Sequence, residues 1–278
     1  MYYASIDAIE APLHETHMNQ FKHIIFTRQT AIARITLNRP DAANGLDSLM
    51  ASELKQAARL CDGDPQLKVV ILTAQGRFFS AGGDLKEMLS HGAEIGAAAQ
   101  ALADDFHAAI ATLSRMQAVL LIAVNGIAAG GGFSLALIGD LVLAAESASF
   151  TMAYTRAGLC PDGASSYFLP RLVGLRKAQE LILTNPLLDA REACELGLVT
   201  RVVADQELAA ETERLAAELA SGARLSAAYA RKLLLASPGN DLDAQMALEG
   251  QLLAQCAASP DGREGIQAFV DKRKPHFE

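Results

Sequence analysis

From Met116 to Gly139 the chain runs without one charged side chain, between Arg115 and Asp140. A segment of that length and apolarity is long enough to cross a bilayer, so its internal punctuation decides what it is. Asn125-Gly126 and the run Gly130-Gly131-Gly132 would break a membrane helix near its middle. The part before them, Val119–Val124, is short and aliphatic. The stretch therefore predicts a buried strand, a glycine turn and a helix from about Gly132 onward, and not a membrane span.

Other short apolar runs repeat this theme at 31–37, 69–73, 141–144 and 198–203, separated by segments with helical spacing at 48–60 and 105–113. That alternation predicts an α/β fold. Beyond about Val203 the pattern changes: 206–220, 226–235, 242–255 and 263–272 all read as helices. The expected organisation is a flexible leader over 1–20, an α/β core over 21–203 and a helical C-terminal region over 204–278. With 51% apolar residues in 278, the chain has ample material for a core.

Composition narrows the partners. Lys plus Arg number 24 against 32 Asp plus Glu, a net charge of −8, which argues against nucleic acid and against anionic membranes. Cys61, Cys160, Cys194 and Cys256 form no CxxC pair, and the N-terminus lacks a basic segment followed by an apolar run, so a reduced, cytoplasmic protein is expected. His14 and His17 flank too few residues for the zincin spacing, and no metal site is expected.

Two glycine loops stand out. The triple glycine is not a nucleotide cradle: the Walker pattern needs Lys-Ser/Thr where Gly132-Phe133 stands, and the dinucleotide fingerprint needs a small residue at Leu135. What remains is a helix start that presents free N–H groups to an anion or a developing oxyanion. The loop Phe79–Asp84 (FSAGGD) lies between a strand and a helix-like segment, 85–89, and has the same character. Two such loops suggest an oxyanion hole. Asp84 reads as the cap of the helix that follows.

In order along the chain, ARITLNRP (33–40), FSAGGDL (79–85), VNGIAAGGG (124–132) and GIQAFVDKRK (265–274) make residues 22–276 resemble the crotonase, or enoyl-CoA hydratase/isomerase, superfamily. The resemblance implies a crotonase-like spiral of repeated ββα units, with C-terminal helices that build homotrimers, often paired as homohexamers. It also implies an acyl-CoA substrate, with no metal or redox cofactor beyond the coenzyme A that the substrate carries. By resemblance, the oxyanion donors are the N–H groups of Gly83 and Gly131. Ala42, Ala81 and Lys86 line the coenzyme A path, and Phe269 and Lys272 reach it from a neighbouring subunit.

The resemblance does not fix the reaction. Hydratases of the superfamily use two glutamates, at positions held here by Ser134 and Tyr154, and neither replaces a carboxylate at neutral pH. A third carboxylate position is filled by Asp162. Read without the family, Pro161-Asp162-Gly163 is a common turn; by resemblance, Asp162 is the proton-shuttling acid of an enoyl-CoA isomerase. Residues 158–203 also resemble 4-chlorobenzoyl-CoA dehalogenases, with Asp162 at the place of the nucleophile and His107 at that of the hydrolytic histidine. The tryptophan of those enzymes is absent at Tyr154. His107 by itself reads as a helix residue at a pocket edge, and Cys160 as a packing residue. The expected function is therefore 3-enoyl-CoA to 2-enoyl-CoA isomerisation. Hydration by other residues, dehalogenase-like hydrolysis and non-catalytic acyl-CoA binding are the alternatives. Residues 91–102 are expected to shape the acyl end of the pocket.

Overall fold

The computed structural model describes residues 16–17 and 21–278; the leader expected over 1–20 otherwise lies outside the described residues, His14 included. Eleven strands are described: β1 (Thr16–His17), β2 (Ile24–Gln29), β3 (Ile32–Leu37), β4 (Val69–Ala74), β5 (Phe78–Ser80), β6 (Val119–Val124), β7 (Ile127–Ala129), β8 (Leu141–Ala145), β9 (Ser149–Thr151), β10 (Leu188–Asp189) and β11 (Arg201–Val203). The helices are α1 (Ser48–Asp62), α2 (Leu85–Ser90), α3 (Ile95–Arg115), α4 (Gly131–Ala136), α5 (Ser165–Thr184) and α6 (Ala190–Glu195), then α7 (Leu208–Ala220), α8 (Arg224–Ala236), α9 (Leu242–Ala258) and α10 (Pro260–Val270).

The strands form two sheets. A seven-stranded sheet has the order β1-β2-β3-β4-β6-β8-β11, antiparallel from β1 to β3 and parallel from β3 onward. A four-stranded sheet has the order β10-β9-β7-β5, with β5, β7 and β9 parallel. The pairs β4/β5, β6/β7 and β8/β9 each step from the large sheet to the small one and then enter a helix, which is the expected repeated ββα spiral.

The large sheet is covered on both faces, so its central strands β4, β6 and β8 are apolar but for Thr73. Every residue of β6 is buried, and burying each of Leu120, Leu121 and Ile122 stabilises the fold by roughly 1.5–3 kcal/mol relative to exposure. Helix α7 packs across β3, β4, β6 and β8, and α1 packs against α3. Among the described residues no helix is long and apolar enough to cross a membrane.

The uncharged stretch differs from its sequence reading in one respect. Between the turn at Asn125-Gly126 and the helix lies β7, so the order is strand, turn, strand, helix, and the helix is the short α4 with Gly131 as its first residue. The charged residue that closes the stretch is also used: Arg231 of α8 pairs with Asp140 at 2.6 Å and donates to the carbonyl of Ala118 at 2.7 Å. The first C-terminal helices are thereby anchored to the start of β6. Beyond them, the outer surface of the helical region carries exposed Leu234, Leu242, Leu253, Ile266 and Phe269.

Candidate active site

The first glycine loop is held by the segment before α1. Arg39 Nη1 donates to Asp84 Oδ2 at 2.8 Å and to the carbonyl of Gly45 at 3.1 Å. Asn44, fully buried with φ +50, donates to the carbonyls of Gln75 and Phe78, both at 2.8 Å. Main-chain bonds then lace the two segments: Ala81 N to Ala43 O at 3.0 Å, Leu46 N to Gly82 O at 2.7 Å and Asp84 N to Leu46 O at 2.9 Å. Asp84 caps α2 by accepting from the N–H groups of Lys86 and Glu87. Burial alone would raise its carboxyl; the bonds from Arg39, Glu87 and Lys86 and the Arg39 charge outweigh that and hold it below the ordinary value.

Gly82 brings the two glycine loops together. Its φ is +92°, and a β-carbon there would lie 2.8 Å from the carbonyl oxygen of Ala129 and 3.1 Å from Gly131 N. Only glycine allows this approach. Of the two N–H groups expected to act as donors, that of Gly83 is skipped by the bonds lacing the loop, and that of Gly131 opens α4. Neither has an acceptor among the described residues.

Both glycines line a cavity of about 400 Å³ whose walls include Phe106 and His107 of α3, Tyr154, Cys160 and Asp162. Gly96, Ala99 and Leu102 of α3 line it too, so the segment 91–102 does reach its wall. Asp162 lies in the loop that precedes α5, and its Oδ1 is hydrogen-bonded to His107 Nε2. His107 and Asp162 also line a second cavity, of about 670 Å³, together with Arg115 and Tyr167.

The residues at the two hydratase positions, Ser134 and Tyr154, face each other. Ser134, completely buried on α4, has its Oγ 2.9 Å from Tyr154 Oη. Burial pushes the Tyr154 phenol above its ordinary value, against the opposing effect of the Ser134 hydrogen bond. Tyr154 therefore stays protonated at physiological pH.

Ala81 lines the cavity, whereas Ala42, in the turn at Pro40–Ala42, and Lys86, on the exposed start of α2, do not. The single chain does not bring Phe269 or Lys272 to the cavity; Phe269 is 86% exposed. Cys160 departs from the packing role expected of it: it is exposed and stands in the cavity wall, because the loop after β9 leaves the core there. Among the described residues no group of three or more His, Cys, Asp or Glu is placed to hold a metal ion.

Sequence reasoning missed Arg39 and Asn44 as supports of the first glycine loop, although both lie in or beside the motif ARITLNRP. It placed Ser134 and Tyr154 at the site without foreseeing that they bond to each other.

The profile of the family described as enoyl-CoA hydratase/isomerase matches residues 27–278. A relative from Rhodobacter capsulatus that carries an enoyl-CoA hydratase name is 37% identical over 246 residues, 88% of this chain and 94% of the relative. The 1,2-epoxyphenylacetyl-CoA isomerase of Escherichia coli K12 is 33% identical over 253 residues, 90% of this chain and 95% of that protein. The crystal structure of an enoyl-CoA hydratase from Bacillus anthracis superposes with a TM-score of 0.86 at 31% identity, covering 92% of this chain and 99% of that one. On this evidence the chain belongs to the enoyl-CoA hydratase/isomerase family.

Proposed function

We propose that this protein is an enoyl-CoA isomerase that moves a double bond from the 3 to the 2 position of an acyl-CoA thioester. The thioester carbonyl accepts hydrogen bonds from the N–H groups of Gly83 and Gly131. The Asp162 carboxylate removes a proton from C2, the two donors hold the resulting dienolate, and the same carboxyl returns the proton to C4. The proton balance closes on one residue, and the reaction needs no metal or redox cofactor.

One observation carries this reading: Asp162 is a carboxylate in the wall of the cavity that both free N–H groups line, while the two hydratase positions hold hydroxyls. The two-glutamate route to hydration has no carboxylate at either place. Ala81 and Lys86, with Ala42, are assigned to the coenzyme A path. Phe269 and Lys272 are assigned to the same path in a neighbouring subunit of a homotrimer or homohexamer.

The test compares equal amounts of protein on 3-enoyl-CoA and 2-enoyl-CoA of matched chain length. Isomerisation is expected to outrun hydration, and Asp162→Asn is expected to lower isomerisation by about 10²–10⁴, the typical contribution of a positioned acid or base, with thioester affinity nearly unchanged. Fast hydration that survives Asp162→Asn would sink the reading.

A second reading is favoured by the bond between His107 and Asp162. In that reading Asp162 attacks the halogen-bearing ring carbon of a 4-halobenzoyl-CoA and expels halide, and water activated at His107 hydrolyses the resulting aryl ester to free the carboxylate and a hydroxybenzoyl-CoA, a dehalogenase-like hydrolysis.

A further inference from the structure

The main-chain carbonyl of Asp162 is the most heavily bonded acceptor near the cavity. Ser134 Oγ and Ser165 Oγ each lie 2.8 Å from it, Ser165 N at 3.2 Å and Tyr154 Oη at 3.3 Å. Ser134 and Tyr154 have one hydroxyl proton each, which limits how these contacts are made. The nearby carbonyl of Gly130 already takes the Ser134 N–H at 2.9 Å and lies 3.2 Å from its hydroxyl. The shortest consistent chain runs from Tyr154 Oη–H to Ser134 Oγ, and from Ser134 Oγ–H to the Asp162 carbonyl.

The backbone on the other side of Asp162 is equally confined. Gly163 has φ +61°, and a β-carbon on it would lie 2.6 Å from Phe106 Cε1 and 2.8 Å from Ser134 Cβ. Ala164 follows with φ +59° as the cap residue of α5. No side chain fits at Gly163, and the Asp162 carbonyl is tied to α4 through the Ser134 hydroxyl and to α5 through the Ser165 hydroxyl. Ser134 has no exposed surface from which to touch a substrate.

We propose that Ser134, by clamping the main-chain carbonyl of Asp162, and Tyr154, by donating to Ser134, are positioning residues that aim the Asp162 carboxylate. The proposal rests on the isomerase reading, in which Asp162 moves the proton. A glutamate at position 134 would need the space now filled by the Asp162 carbonyl, the Tyr154 hydroxyl and Gly163.

The test is a set of double-mutant cycles. Ser134→Ala and Tyr154→Phe are each made in the native chain and in the Asp162→Asn background, and kcat and KM are measured on 3-enoyl-CoA. In the native background each is expected to lower kcat by about 10- to 100-fold, as misplacement of a reacting group does, while KM stays within about twofold. In the Asp162→Asn background neither is expected to lower the residual rate further, because residues acting through one group are non-additive. An unchanged kcat in the native background, or the same fold-loss with and without Asp162, would overturn the proposal.

Full activity of Asp162→Asn itself would instead remove the isomerase reading, so the two failures are distinct. Far-UV circular dichroism and thermal unfolding check that each variant folds. Tyr154→Phe keeps the ring and decides the matter should Ser134→Ala fold poorly, and where the Asp162→Asn rate is too low to measure, its kcat against KM is the deciding split. Ser134→Glu is expected to lose isomerisation without gaining hydration, and retention of the first with gain of the second would also overturn the proposal.

Discussion

His107 and Asp162 are hydrogen-bonded, Nε2 to Oδ1, across 55 residues of sequence, joining the middle of α3 to the loop before α5. Both side chains are partly open, 48% and 32% exposed, so the pair is reachable from the cavity and screened by solvent. In the isomerase reading His107 steadies a carboxylate that carries a proton and forms no covalent bond. His107→Gln is then expected to lower isomerisation by about tenfold, less than the 10²–10⁴ of a direct acid or base. Incubated with a 4-halobenzoyl-CoA, it is expected to show an unmodified intact mass and no halide release. An adduct on the peptide containing Asp162 would establish the hydrolase reading in its place.

Gly82 and Gly83, adjacent in the first glycine loop, separate structural from chemical effects. A β-carbon at Gly82 would meet the Ala129 carbonyl at 2.8 Å in a left-handed conformation, whereas one at Gly83 meets nothing within 4 Å. Gly82→Ala is expected to cost about 1–3 kcal/mol of stability, and Gly83→Ala is expected to leave the thermal midpoint where it was. Equal midpoints for the two variants would mean that the contact between the loops is not what holds them.

Position 131 tests the proposed oxyanion hole. A β-carbon there would press on Leu46 Cδ1 at 2.8 Å, the mobile end of a side chain, with Phe106 and Tyr154 Oη next at 3.7 and 3.8 Å. Alanine is therefore accommodated by a small shift of Leu46. Valine is expected also to crowd the N–H and to add on the order of 3 kcal/mol to the barrier, as loss of an oxyanion donor does. Normal turnover by Gly131→Val would dissociate this N–H from the chemistry.

The parts of this architecture written in local pattern are those with long apolar runs. β3, β4, β6 and β8 fall on the runs at 31–37, 69–73, 119–124 and 141–144 because both faces of the large sheet are covered. The small sheet is illegible by the same criterion. Phe78–Ser80, Ile127–Ala129 and Ser149–Thr151 are three residues each, too short to show a period. The run 198–203 yields strand only at Arg201–Val203, since Leu198 and Val199 are buried in the turn after α6. Helix α5 was missed because Pro170 and Gly174, the latter at φ 77°, interrupt it. Helix α3 begins ten residues before the stretch with helical spacing, in the alanine-rich segment from Ile95, where the apolar stripe is faint. At the site, the glycine loops were visible as spacing. The pairs Arg39–Asp84, Ser134–Tyr154 and His107–Asp162 were not, because each joins residues that only the folded topology makes neighbours.

Acidification should weaken the first loop. The Asp84 carboxyl is held below its unfolded value near 3.8, so its charged form is favoured by folding. The stability it contributes is fully present above that value and is lost as pH falls through the lower folded value. Thermal unfolding followed from pH 7 to about pH 3 should show a decline at the acid end that is shallower in Asp84→Asn. Parallel curves for the two proteins would place the acid sensitivity elsewhere.

Leu253, Ile266, Phe269 and Val270 are between 57% and 86% exposed on α9 and α10, a density of large apolar side chains that a free surface rarely presents. Covering them with a neighbouring copy would satisfy that surface, and in the proposed homotrimer or homohexamer Phe269 and Lys272 would approach another subunit's coenzyme A path. Light scattering at micromolar concentration is expected to give a trimer or hexamer. Phe269→Asp, which places a charge on the face to be buried, is expected to shift the mass toward the monomer and to raise KM for acyl-CoA by about tenfold or more, as losing a central interface aromatic costs ~2 kcal/mol. A native protein that runs as a stable monomer would detach both residues from the substrate, and a monomeric Phe269→Asp with unchanged KM would confine Phe269 to the interface.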